Sequence, residues 1–316
     1  MSNSSDTKRV IVTGATGLIG SALCAALQQR GYAVVVFSRD PDAARAKLPD
    51  AAAYVAWQPS ETPGSWAGHL DGAYGVVHLA GGSLFTGRQT EDSVRTETAS
   101  RVQAIHGLVT AMAQATNKPQ VFISASSVGA YGYAGFSDAE YTEESPAGED
   151  FWGRDSAKWE EAALTAQQHG VRTVVLRPGY VLAAQPGGGL AQQVAQFRRG
   201  FGGPVLPGRQ WSPWVHLADV AGLALFALED ARVQGPLNVV APGIVRNREF
   251  SRLLGQAVGK PSWLPVPGFA LRMGLGIAAD IIVHGRRVIP AKALALGYAF
   301  QYPTLPAALR DLISQM

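Results

Sequence analysis

The sequence predicts an α/β fold, a doubly wound parallel sheet with a small C-terminal region acting as substrate or lid region, on three observations. From Arg9 onward, short β-branched runs alternate with longer stretches of helical pattern. The runs have largely continuous apolar cores, as strands covered by helices on both faces do, rather than alternating apolar with polar. Between the first run and the first helical stretch stand three spaced glycines, Gly14, Gly17 and Gly20.

Each element follows in order. Residues 10–13 (Val-Ile-Val-Thr) have the length and composition of a buried strand. The helical stretch behind the glycines sets Leu18, Leu23, Ala26 and Leu27 on one face, and Gly31 is placed to end it. Further strands are expected at 33–37, 54–57, 75–80, 120–124 and 173–177, with helices at 93–115 and 155–169 among them. After Arg177 the alternation decays. Gly187, Gly188 and Gly189 read as a loop, as do residues 200–204. Residues 236–241 read as one more strand, 247–258 as a helix, and the tail from Lys260 as helical with proline breaks.

Composition narrows the class. Charged residues make up 16% of the 316, below the usual ~25%, and apolar residues 47%, which excludes a disordered chain. A net charge of +3 is too small to argue for nucleic acid or an acidic membrane surface. One cysteine, Cys24, makes no internal disulfide and fits a reducing compartment. The first nine residues are polar, and the apolar stretch 269–283 is broken by Arg272 and Asp280, short of the ~20 residues a span needs. No His-Glu-x-x-His spacing occurs. A cytoplasmic protein with no metal, no nucleic-acid partner and no membrane partner is expected.

The glycine spacing carries the chemistry. After a strand and before a helix, the first glycine permits a tight turn, the second lets backbone approach a pyrophosphate, and the third allows close helix–strand packing. The helix N-terminus then offers free N–H groups and the positive end of its dipole to phosphate. The end of the second strand reads Phe37-Ser38-Arg39-Asp40. If Phe37 ends the strand, Ser38 and Arg39 face the ribose, and the arginine fork suits the 2′-phosphate of NADP. The other reading has Asp40 on the ribose, although Asp40-Pro41 also looks like a helix start.

With His78-Leu-Ala-Gly-Gly82 at the fourth strand and Ser124-Ala-Ser-Ser-Val-Gly-Ala-Tyr-Gly132 at the fifth, the chain resembles the short-chain dehydrogenase/reductase superfamily in its extended, epimerase-like branch. More narrowly it resembles the sugar-nucleotide epimerase-like subfamily known as cell-division-inhibitor-like. Thr142-Glu-Glu-Ser-Pro146, Lys158-Trp-Glu160, Phe201-Gly-Gly-Pro204, Gly208-Arg-Gln-Trp211, Trp214-Val-His-Leu217, Asn247-Arg-Glu-Phe250 and Leu264-Pro-Val-Pro267 carry that likeness. It implies a Rossmann-like NADP(H)-binding domain, expected at 9–180 with core strands completed from within 205–245, and a mixed C-terminal region at 181–316 packed over the cofactor. The cofactor contacts expected are Gly14, Thr16, Gly17, Leu18, Ile19, Gly20, Ser38, Arg39, Leu79, Ala80, Gly81, Arg101, Ser124, Lys158, Pro178 and Gly179.

The resemblance also implies a tyrosine four residues before a lysine, passing a proton to or from substrate while nicotinamide exchanges hydride. Here Lys158 is present, but Arg154 stands at the tyrosine position, and none of the nine tyrosines precedes a lysine by four. Guanidinium is always protonated near neutrality and is a poor proton carrier. Tyr131 and Tyr180 are the other proton sources to weigh, each also readable as a packed aromatic; arginine as an oxyanion stabiliser and a protein that binds without turnover stay open as well. Ser127 lies four residues before Tyr131, as in related epimerases, with Ser126 one step away on the opposite face of an extended chain. Ser127, Lys158 and Tyr131 are the catalytic candidates. His216 reads as a structural histidine, kept in view because it titrates near neutrality, and Asp219 as the cap of a helix over 220–228. Trp211 and Trp214 line a pocket or fill the core; Arg198, Arg199 and Arg209 receive an anionic substrate or form a solvated patch.

The function expected is an NADP(H)-dependent oxidoreductase or epimerase-like protein for an unidentified small carbonyl or hydroxyl substrate, a nucleotide sugar being one such. The alternative is a non-catalytic NADP(H)-binding regulator or scaffold. A homodimer is left open.

Overall fold

The computed structural model describes residues 7–82, 87–185 and 188–316. The first six residues of the polar leader and Gly187 of the predicted glycine loop lie outside the described residues.

Seven strands form one sheet: β1 (Arg9–Thr13), β2 (Ala33–Ser38), β3 (Ala53–Ala56), β4 (Gly75–His78), β5 (Val121–Ala125), β6 (Arg172–Pro178) and β7 (Gly235–Val239). Their order is β7-β6-β5-β4-β1-β2-β3 and every neighbouring pair is parallel. The winding direction reverses at β1, which lies between β2 and β4, and open α/β sheets bind ligands outside the carboxyl ends of the strands at such a point.

The helices are α1 (Leu18–Gln29), α2 (Pro41–Lys47), α3 (Glu91–Gln114), α4 (Phe151–Leu164), α5 (Gly189–Arg198), α6 (Leu217–Glu229), α7 (Asn247–Val258), α8 (Gly268–Leu275), α9 (Ala279–Val283), α10 (Ala291–Ala295) and α11 (Leu305–Ser314). Strand alternation divides the core between the two faces of the sheet. Val10, Val12, Val34 and Val36 meet Leu23 and Leu27 of α1 and Leu223 of α6 on one face. Ile11, Val35 and Phe37 meet Ile105 and Leu108 of α3 and Ala163 of α4 on the other. A third cluster, around Leu190, Phe197, Trp214, Leu254 and Leu309, joins α5, α7 and α11.

Local signals set several boundaries. Gly31, at φ +80°, follows the last turn of α1. Asp40 caps α2, its Oδ1 accepting from the Ala43 amide at 3.0 Å, with Pro41 in the first turn. The start of α6 corrects the expectation for Asp219. His216 is the capping residue, its Nδ1 accepting from the Ala218 amide at 3.1 Å. Asp219 is fully buried in the first turn, where its carboxylate accepts the amides of Gln301 (2.8 Å) and Tyr302 (2.9 Å) and anchors the C-terminal segment. Among the described residues no helix is long and apolar enough to cross a membrane.

Candidate functional site

At the carboxyl end of the sheet a cleft of about 460 Å³ opens where β1 meets α1, walled by the ends of β2 and β4 and by α3. Its floor is the turn from Gly14 to Gly17. Gly14 has φ +67°, and a methyl group there would sit 2.6 Å from the Leu79 carbonyl carbon, so both conformation and the closeness of the neighbouring strand require glycine. A methyl group on Gly20 would strike the Gly14 carbonyl, which is how α1 comes so close to its own turn. Gly17 is different: its nearest obstacle is the Gly14 carbonyl at 3.3 Å, and its surface forms part of the cleft. The first N–H groups of α1 have no partners within the helix and are available to an anion.

The end of β2 supplies the far wall. The strand runs through Ser38, one residue beyond the predicted end. The Ser38 hydroxyl donates to the Asp40 carbonyl at 2.9 Å and accepts the Asp40 amide at 3.2 Å. With Asp40 engaged as the α2 cap, Arg39 is the exposed side chain at the mouth of the cleft, free of any ion pair with a described residue.

On the β4 side, Leu79, Ala80, Gly81 and Gly82 pass between the cleft and α3. Glu97 and Arg101, one helical turn apart, clamp this segment. Glu97 Oε1 accepts the Gly82 amide at 2.6 Å, and Arg101 Nη2 donates to the Gly82 carbonyl at 2.8 Å. The Arg101 guanidinium also lies 4.5 Å from the centre of the Trp159 ring, and burial shifts its pKa downward. Behind the cleft, His78 Nδ1 and Thr13 Oγ1 are 2.8 Å apart, and burial, with Arg101 nearby, pushes the His78 pKa down to about 3. Trp57 lines the cleft with its indole N–H buried and without a hydrogen-bond partner among the described residues.

Of the predicted contacts, Gly14, Thr16, Gly17, Ser38, Arg39, Leu79, Ala80, Gly81 and Arg101 meet in this cleft. Leu18, Ile19 and Gly20 form the first turn of α1 just behind it. Ser124 is buried in β5 alongside His78. Pro178 ends β6, and Gly179 packs beneath Pro213, both outside the cleft lining. Val36, Trp57, Pro59, Glu97 and Ser100 also line the cleft and were not anticipated. Glu97 was the readable one, because it sits one turn before Arg101 on a helix facing two consecutive glycines.

The catalytic candidates lie further along. The two serines after β5 divide their roles. Ser126 is buried and donates to Glu160 Oε1 at 2.5 Å, whereas Ser127 is half-buried and accepts the Gly129 amide at 3.0 Å. The Tyr131 hydroxyl is shared between Asn238 Oδ1 at 2.7 Å and the Thr142 carbonyl at 2.9 Å, and burial raises its pKa. On α4, Lys158 is exposed with Nζ 3.6 Å from Asp155 Oδ1, while Arg154 is exposed and donates to the Glu149 carbonyl. Tyr180 is half-buried, with its hydroxyl unpartnered among the described residues and its pKa raised by burial. His216 is a structural link: its Nε2 is 3.1 Å from Asp311 and its ring stacks on Tyr302 at 3.8 Å.

A glycine-turn cleft at the switch point of a seven-stranded parallel sheet defines a dinucleotide-binding α/β protein of the short-chain dehydrogenase/reductase kind. The chain belongs to the NAD dependent epimerase/dehydratase family, which residues 10–240 match; residues 266–312 match a domain of unknown function, DUF1731. It is 36% identical over 310 residues to the mouse epimerase family protein SDR39U1, covering 97% of this chain and 100% of that one. To the epimerase family protein YfhF of Bacillus subtilis it is 34% identical over 307 residues, covering 96% and 98%. The crystal structure of human SDR39U1 (isoform 2) with NADPH superposes with a TM-score of 0.84 at 33% identity, covering 98% of this chain and 100% of that one.

Proposed function

We propose that the protein binds NADPH in this cleft and works as an NADP(H)-dependent oxidoreductase or epimerase-like enzyme on a small carbonyl or hydroxyl compound. The observation that carries the reading is Arg39, a guanidinium just past the end of β2 that makes no ion pair with any described residue, set across the cleft from the glycine turn. A dinucleotide bridging those two points presents a pyrophosphate to the α1 amides and an adenosine 2′-phosphate to Arg39. The fit is supported by the absent side chain at Gly17 and by the unpartnered Trp57 N–H on the adenosine wall. The NADPH in the human relative supports the same choice.

When bound, the nicotinamide supplies or accepts hydride. The chain's own share is to bind, to orient the substrate and to stabilise charge on its oxygen. Ser127, whose hydroxyl accepts the Gly129 amide, keeps its proton to donate to a substrate oxygen. Lys158 holds the nicotinamide ribose, turning from Asp155 to do so. Arg154 takes the position of the usual tyrosine and, on turning from the Glu149 carbonyl, is a fixed positive charge that stabilises a developing oxyanion. After hydride transfer to a carbonyl, the resulting oxyanion takes its proton from water.

The second reading is a protein that binds NADPH and does not turn over. It draws on the Tyr131 hydroxyl, which is buried and already turned to two acceptors. The test is NADPH consumption by the purified chain against a panel of nucleotide sugars and small aldehydes and ketones. Turnover that falls in Ser127→Ala and Lys158→Ala supports the enzyme. No turnover across the panel, with NADPH binding intact by calorimetry, selects the second reading.

A further inference from the structure

The charge of +3 for the whole chain conceals an uneven distribution. Segments 188–210 and 256–279 together hold Arg198, Arg199, Arg209, Lys260 and Arg272 and contain no aspartate or glutamate. The rest of the chain is therefore at −2. These two segments also hold six of the seven large apolar side chains that stand exposed among the described residues, the seventh being Leu294. Phe201, Trp263, Phe269 and Met273 are between 62% and 73% exposed, and Leu206 and Leu264 lie at the edge of the group.

Hydrogen bonds tie the two segments into one surface. The Gly202 carbonyl accepts the amides of both Trp263 and Leu264 at 3.0 Å, and the Trp263 indole donates to the Gly200 carbonyl at 3.1 Å. Leu206 and Val266 are joined by a backbone bond of 2.9 Å. Directly beyond, α8 has no buried residue, and its Phe269 and Met273 stand four apart on one face. Among the described residues, Arg198, Arg199, Arg209 and Lys260 make no ion pair; Arg272 is held by Asp280 at 2.8 Å. On the adjacent α7, Glu249 is already paired with Arg252.

From this we infer that the Phe201–Trp263–Phe269–Met273 face docks on the surface of an anionic lipid bilayer. The side chains project outward and none lines the cofactor cleft. Projecting rings and a thioether suit a fluid interface, where tryptophan is favoured and apolar groups sink to the headgroup boundary while arginine and lysine meet anionic headgroups. A second copy of the chain is disfavoured by charge, because a twofold axis through this face would set the same cations against one another. The docking is peripheral and needs no spanning helix.

The experiment is flotation of the full chain with vesicles of phosphatidylcholine alone and with phosphatidylserine added. Binding to the serine-containing vesicles only, weakened by salt, is expected. Arg198→Glu with Arg199→Glu should lower that binding at least about tenfold. Trp263→Ala with Phe269→Ala should abolish it, while both variants keep the parent's NADPH affinity and circular dichroism. No binding of folded protein to either vesicle overturns the inference, as does equal binding to both. A stable dimer in sedimentation that Trp263→Ala dissociates would assign the face to a second copy and overturn it as well.

Discussion

Arg177 holds Glu160 with two bonds, Nε to Oε1 at 2.9 Å and Nη2 to Oε2 at 2.6 Å, and both side chains are buried. The same carboxylate receives Ser126, and the guanidinium lies 4.9 Å from the centre of the Tyr131 ring. One ion pair thus joins β6 and α4 to the segment that carries Ser127. Glu160→Gln leaves a buried arginine without its counter-charge and should cost about 3–5 kcal/mol in denaturant unfolding. A loss under about 1 kcal/mol would mean that solvent reaches the pair.

Arg39→Asp should weaken NADPH binding by about 1–3 kcal/mol, the scale of a charge-assisted hydrogen bond, and leave NADH nearly unchanged. Calorimetric titration with both cofactors measures the difference. Equal losses would show that Arg39 does not read the phosphate.

The three glycines of the turn should part company on substitution. Gly14→Ala and Gly20→Ala meet backbone directly and should lower stability by about 1–3 kcal/mol or more. Gly17→Ala meets only the Gly14 carbonyl, a tight contact at 3.3 Å, so it should cost less stability than the other two yet weaken NADPH binding, because its methyl group occupies cleft space. Thermal melts paired with calorimetry check both halves.

His78 gives the acid side of the stability curve a definite sign. Its folded pKa, about 3, lies below the ordinary value of 6.5 because burial disfavours the charged ring. Below about pH 6.5 the unfolded chain takes up a proton that the folded chain refuses, so stability falls as pH drops toward about 3. Melts between about pH 7 and about pH 4 should show this decline, and His78→Asn should flatten it. An unchanged slope in the variant would place the proton uptake elsewhere.

All seven sheet strands were legible, because runs such as Val34-Val35-Val36 are buried on both faces and carry no competing signal. The cap and the proline at Asp40-Pro41 were legible for the same reason: the partner atoms lie within three residues. The true start of α4 at Phe151 had its signal in Asp150, whose carboxylate accepts the Gly153 amide at 3.0 Å, yet the apolar pattern drew attention four residues later. Asp219 could not be placed from sequence, since its partners are the amides of Gln301 and Tyr302, far down the chain. Trp57 was unreadable as a cleft residue because its neighbours in the cleft come from the glycine turn, β2 and α3. Arg154 was legible only as a departure from a family pattern, and its bond to the Glu149 carbonyl gives the replacement a local role.

The strand order has a consequence for biosynthesis. β7 is the outer neighbour of β6, and its residues follow α5 and α6 in the chain. A nascent polypeptide that has emerged from the ribosome only as far as Pro178 therefore carries six strands with the flank of β6 bare, Val174 to Pro178 awaiting Gly235 to Val239. Until translation delivers that last ribbon, the half-made sheet offers its unpaired amides to any other growing chain, and a chaperone has its clearest reason to intervene there.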